Sequence, residues 1–237
     1  MEENDLITVA DLKTKVDQLK ANKTLAYILA EGLESRNDDL ATMEGFQVQV
    51  KINPATKQAK TNPYHYQFKN GLTLFQSIGP IHKGQRVGIL EINEHGEPTN
   101  TESRIGFDYR TVESRDPNVI LDKARENGNK IGVAIQENLK FATDGFIILT
   151  ACNTGLLRND SWVQRLANNS RVTVYAPMGN VAGSFLAGDN VKVSSFAFDG
   201  KVTLFGYYKP GTPKIQYKEN DVWYRSTNGL FRVFRPK

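Results

Sequence analysis

Residues 145–155, Gly-Phe-Ile-Ile-Leu-Thr-Ala-Cys-Asn-Thr-Gly, constrain the fold of this chain more than any other stretch. The consecutive apolar side chains from Phe146 to Leu149 suit one strand buried on both faces and are too few for a helix. The small and turn-forming residues that follow, Thr150 to Gly155, let the backbone leave a sheet and present a side chain at its carboxyl edge. In open α/β sheets that edge is where ligands bind. The residue delivered there is Cys152, the only cysteine among 237 residues.

A single cysteine excludes an intramolecular disulfide, so the fold needs no oxidising compartment. No apolar run approaches the ~20 residues that span a bilayer, and the acidic start Met1-Glu-Glu-Asn-Asp is unlike a signal peptide. The expectation is a protein without a membrane span, cytoplasmic in the cell that makes it, with export by a dedicated machine left open. The chain is long enough to bury a sizeable core. Its net charge of +4 is unevenly spread, because residues 201–237 carry eight basic side chains, among them Lys201, Arg225 and Arg232, and two acidic ones, Glu219 and Asp221. Eight aromatics, Trp223 and Tyr224 included, are interleaved with them. This pattern can bind a polyanion. It also fits terminal strands with an aromatic inner face and a lysine-rich edge, which makes nucleic acid the less favoured partner.

Taken in order, Thr8 and Asp11 form a capping pair ahead of Val9, Leu12, Val16 and Leu19 at helical spacing. Leu25, Leu29 and Leu33 extend the stripe, so residues 1–45 read as a helical element, either one long helix or a hairpin. Phe46 to Ile52 alternates like a strand with one wet face. Tyr64 to Phe75 reads as a hairpin around Asn70-Gly71, and Arg86 to Ile92 as a strongly apolar strand. Asn118 to Glu126 reads as a helix that stops at Asn127-Gly128, and Ile131 to Phe141 as another helix, with Gly132 and Val133 leaving a strand open for it. After the cysteine strand, Trp162 to Ala167 reads as a helix and Arg171 to Ala176 as another buried strand, a strand–helix–strand signal. Beyond Pro177 the chain is glycine-punctuated and β-rich. The predicted architecture is α/β: an open, mostly parallel sheet flanked by helices over residues 46–180, with a β-rich basic extension, 181–237, in the same domain.

All three histidines, at 65, 82 and 95, precede the cysteine. His95 directly follows an apolar strand, as Cys152 does. If the two strands are parallel neighbours, both side chains emerge at one edge, an arrangement suited to nucleophilic catalysis with imidazole as general base or acid. Gly96 would let a backbone N–H approach a substrate carbonyl beside that of Cys152. The alternative is that Glu94 to Glu97 only turns a hairpin. His82 is a reserve base, and His65, between two tyrosines, reads as packing. Asn153 and Thr154 shape the turn first and contact substrate second. No residues show metal-ligand spacing, and no cofactor is implied.

Strand-His95-Gly96 followed by strand-Thr150-Ala151-Cys152-Asn153-Thr154-Gly155 resembles the caspase-like cysteine peptidases. Within that clan ILTACNTG is most similar to the SACxTG pattern of CHAT domains. The continuation through Trp162 to Ala167 and Val172 to Gly179 resembles caspase-like modules of bacterial polymorphic toxins. The likeness covers about residues 86–180. It implies a caspase-like sheet and a His95–Cys152 dyad that cleaves a protein or peptide substrate through an acyl-thioester. It also implies oxyanion donors on the Gly96 and Cys152 amides, and a role as a bacterial effector or toxin-associated protease. By analogy with toxin protease domains a polyanion could be its activator. A caspase-like scaffold without catalysis, used for binding or assembly, stays open beside this reading.

Overall fold

The apolar runs of the chain assemble into one sheet that is parallel at its centre. A computed structural model describes residues 5–32, 52–53, 58–59, 62–68, 71–94, 96–97, 100–101, 117–156, 160–194, 202–204, 215–217 and 229–237. The strands are β1 (Leu6–Thr8), β2 (Ala26–Gly32), β3 (Ile52–Asn53), β4 (Gln58–Ala59), β5 (Tyr64–Phe68), β6 (Val87–Asn93), β7 (Gly96–Glu97) and β8 (Asn100–Thr101). They continue with β9 (Phe141–Thr150), β10 (Thr173–Pro177), β11 (Asn180–Ala182), β12 (Lys192–Ser194), β13 (Val202–Leu204), β14 (Ile215–Tyr217) and β15 (Leu230–Phe234). The helices are α1 (Val9–Lys20), α2 (Gly71–Ile78), α3 (Pro117–Asn138) and α4 (Trp162–Ser170).

The main sheet runs β1-β15-β10-β9-β6-β2-β5-β4-β3. Strands β5, β2, β6, β9 and β10 are mutually parallel, while β15 and β1 close one side and β4 and β3 the other in antiparallel fashion. In chain order the five parallel strands lie 2-1-3-4-5, the doubly wound arrangement whose switch point falls between β2 and β6. One face packs Ile28, Leu90, Ile147 and Val174 against α2, α3 and α4. The other packs Tyr27, Ile89, Phe146, Ile148 and Tyr175 against α1 and the β11–β12 hairpin.

Several sequence expectations hold. Thr8 caps α1, its hydroxyl oxygen accepting the Asp11 N–H at 3.1 Å; Ser161, which the sequence reading did not single out, caps α4 in the same way through the Gln164 N–H. The apolar runs at 87–92, 146–149 and 173–176 are adjacent strands.

Three expectations are corrected. Leu25 and Leu29 do not continue the first helix. Residues 26–32 form β2, a central strand between β5 and β6 with Ile28 and Leu29 both buried. Doubly buried strands lack alternation, so the four-residue leucine spacing mimics a helical stripe. Leu33 lies outside the described residues. The expected hairpin over Tyr64 to Phe75 is not formed, because Gly71 opens helix α2 and Leu72 to Phe75 lie within it. Finally, α3 runs unbroken through Asn127-Gly128. A Cβ on Gly128 would stand 2.2 Å from the Trp162 carbonyl oxygen, and one on Gly132 would stand 2.6 Å from the Asn169 Cβ. These glycines therefore serve the close approach of α3 to α4 instead of ending a helix. The expected strand over Phe46 to Ile52 lies outside the described residues apart from Ile52 in β3. Most of residues 201–229, with Trp223, Tyr224 and Arg225, also lies outside them, whereas β15 from the same segment is an integral strand of the sheet.

Among the described residues no helix is long and apolar enough to cross a membrane.

Candidate functional site

The site begins with the chain leaving β9. Asn153 adopts φ 61°, a left-handed conformation that asparagine tolerates better than most residues. The turn is then stitched to the exit of β10, where the Asn153 N–H donates to the Gly179 carbonyl and the Gly155 N–H to the Pro177 carbonyl, both at 2.9 Å. Gly155 leaves room for this, since a Cβ there would stand 2.3 Å from the Ala176 carbonyl oxygen. Thr154 is fully buried and its hydroxyl donates to the Ala151 carbonyl at 2.9 Å. Asn153 is buried too. Both side chains shape the turn, and Thr154 presents no surface to a substrate.

Cys152 is partly exposed and packs beside the core on the α1 face. Its Sγ accepts the Val181 N–H at 3.4 Å and lies 3.7 Å from the Val181 carbonyl oxygen. The thiol therefore rests against β11.

Strand β6 lies beside β9 in parallel register, with Asn93 opposite Thr150. The Glu94 N–H extends the ladder, donating to the Thr150 carbonyl at 3.4 Å. By residue count His95 and Cys152 are each the second residue beyond that last pair. His95 itself lies outside the described residues. Gly96 opens the two-residue strand β7, which pairs antiparallel with β8, Gly96 opposite Thr101.

The other histidines stand elsewhere. His82 belongs to the turn before β6, where its Nε2 bonds the Tyr66 hydroxyl and its Nδ1 bonds Gln85 Oε1, both at 2.8 Å. Burial holds its pKa below the ordinary value, partly opposed by the Gln85 bond, and burial pushes the Tyr66 hydroxyl up to about 12. A seven-residue strand separates this end of β6 from the carboxyl edge by roughly 20 Å, so His82 does not serve Cys152 as a reserve base. His65 is buried on β5 with its Nε2 2.9 Å from Glu31 Oε2. Three strand spacings, about 14 Å, lie between β5 and β9.

Sequence reasoning passed over Glu91. This side chain is 0 % exposed in the middle of β6. Its carboxylate accepts the backbone N–H groups of Phe185 at 3.1 Å and Leu186 at 2.8 Å. The Ser184 hydroxyl also bonds it, and the Thr150 hydroxyl lies 3.3 Å from its Oε1. Burial raises its pKa to about 7, while these four hydrogen bonds pull the other way. The clue was available in Val-Gly-Ile-Leu-Glu-Ile, because a carboxylate inside a doubly buried strand requires dedicated donors. Glu91 thus joins the strand end that carries Cys152, through Thr150, to the connection of the hairpin that touches Sγ.

Among the described residues no cluster of His, Cys, Asp and Glu could hold a metal ion.

A sequence-family model described as a domain of unknown function (DUF8616) matches residues 81–193. That span contains β6, Glu91, β9, Cys152, α4, β10, β11 and all but the last residue of β12. Comparison with curated proteins and with solved structures finds no match for the chain.

Proposed function

We propose that this chain is a caspase-like cysteine endopeptidase, acting as a bacterial effector or toxin-associated protease, with Cys152 as nucleophile and His95 as general base and acid. The observation that carries the reading is the parallel register of β6 and β9, which ends both strands together at Asn93 and Thr150. The His-Gly and the Cys-Asn-Thr-Gly segments then leave one edge of an open, mostly parallel sheet, next to its switch point. In the reaction His95 takes the thiol proton and Sγ attacks the peptide carbonyl carbon. The carbonyl oxygen becomes an oxyanion facing the Gly96 and Cys152 amides. Collapse breaks the C–N bond, the amine leaves with the proton from His95, and water hydrolyses the thioester. Asn153 and Thr154 then set the turn that holds Cys152 in place. The proposed reaction uses no cofactor.

A non-catalytic caspase-like binding module is the second reading, favoured by one observation: Sγ is engaged by the backbone of Val181. Incubation with a peptide library, followed by detection of new amino termini, separates the two. Cleavage abolished in both Cys152→Ala and His95→Ala with the fold unchanged supports the peptidase. Cleavage that survives Cys152→Ala removes Cys152 from the mechanism, and no cleavage by the native chain favours the binding module.

A further inference from the structure

Nothing in the peptidase reading calls for a carboxylate buried inside β6, yet Glu91 is the most heavily hydrogen-bonded side chain near the thiol. Along its strands the β11–β12 hairpin is held by the Gly229 N–H, which donates to the Val193 carbonyl at 2.9 Å, and at its connection Glu91 adds a side-chain anchor. Its connection holds to itself through the Ala187 N–H to Ser184 Oγ at 3.1 Å and the Asp189 N–H to the Ser184 carbonyl at 3.0 Å. Its apolar side chains, Val181, Phe185, Leu186 and Val193, lie on the α1-face core. The Phe185 and Leu186 N–H groups face into the protein and would be unsatisfied there without an acceptor. Glu91 supplies that acceptor from the sheet, and its other neighbour, Thr150, stands two residues before Cys152. The opposite end of the hairpin, Val181, touches Sγ.

We infer that Glu91 is a positioning residue that docks the β11–β12 hairpin against Cys152, so that access to Sγ from solvent or substrate is set by this buried carboxylate. The consequence for catalysis rests on the peptidase reading, whereas docking of the hairpin does not. With the carboxylate in place Val181 covers the sulfur and aims an N–H at it. Without it the Phe185 and Leu186 N–H groups lose their acceptor and the hairpin lifts.

The test uses Cys152 as its own probe, since it is the only thiol in the chain. Iodoacetamide labelling of the full-length protein is followed from pH 6 to 10, giving a thiol pKa and a limiting rate constant at high pH. The limiting rate reports access, separately from ionisation. Native protein is compared with Glu91→Gln, and amide hydrogen exchange is read by NMR on the same samples. In Glu91→Gln the limiting rate is expected to rise about tenfold, the factor for one buried hydrogen bond lost. Exchange at Val181, Phe185 and Leu186 should quicken while Ile147 to Leu149 of β9 stay protected. A purely structural glutamate would leave the limiting rate alone or expose β9 together with the hairpin. Ser184→Ala, which removes one of the four donors, should shift rate and exchange in the same direction by a smaller factor. Should Glu91→Gln lose protection throughout, Ser184→Ala decides the matter. An unchanged limiting rate and unchanged exchange in a folded variant overturn the inference. Labelling does not require peptide cleavage, so failure here is distinguishable from failure of the peptidase reading.

Discussion

Glu91 makes the stability of this protein depend on pH in a direction opposite to that of most acidic residues. Its pKa rises from an ordinary 4.5 to about 7 in the folded state, chiefly through burial. The native protein therefore binds a proton that the unfolded chain has already released between these two values. Where the native state holds more protons, stability falls as pH rises. The contribution is fully present below pH 4.5 and is lost as pH climbs through 7. At 1.36 kcal/mol per unit, the shift amounts to about 3 kcal/mol over the whole window, or about 2–3 kcal/mol between pH 5 and pH 8. Urea unfolding of the native chain and of Glu91→Gln at both pH values isolates this term, because the other carboxylates titrate alike in the two proteins. The native chain should lose about 2–3 kcal/mol more than the variant between pH 5 and 8. Equal losses in the two proteins would refute the reasoning.

Other expectations follow from the packing. Gly128→Ala should lower stability by about 2 kcal/mol in thermal or urea unfolding, because its Cβ would meet the Trp162 carbonyl at 2.2 Å and force α3 from α4. An unchanged midpoint would mean that the two helices are not held at this spacing. At Asn153, with φ 61°, substitution by Gly should be tolerated, whereas Ala should cost about 1 kcal/mol. A cost for Gly equal to that for Ala would assign the side chain a role beyond conformation. The skew of eight basic against two acidic residues over 201–237 predicts retention on heparin that falls steeply with salt. Passage through the column at low salt would remove a polyanion partner.

Much of the sheet could be read from the chain because its central strands announce themselves. Phe146 to Leu149 and Val87 to Ile92 are doubly buried runs, and the helix between β9 and β10 carries its own serine cap. What escaped did so for physical reasons. Residues 26–32 are as apolar as a core helix, and leucines four apart fit either period, so only pairing with β5 and β6 decides for a strand. Gly71 and Gly128 each carry a local turn signal that tertiary packing overrides, since both are buried within helices. The site was half legible. A lone cysteine at a strand end pointed to the carboxyl edge, whereas the pairing of β6 with β9 was only a condition of the reading, because chain order alone does not set which strands are neighbours or their register. Glu91 was hidden because an apolar run draws attention to its apolar members, and its partners Phe185 and Leu186 lie far along the chain. Nothing local in the sequence joins them.

In the proposed peptidase Cys152 is a nucleophile activated by His95. The most direct measurement is labelling by a peptidyl acyloxymethyl ketone as a function of pH, in the native protein and in His95→Ala and His82→Ala. A dyad should label well below the free-thiol pKa of ~8.5. That labelling should be lost in His95→Ala and kept in His82→Ala. Labelling that follows an ordinary thiol titration in all three proteins would contradict the dyad and make Cys152 a structural residue.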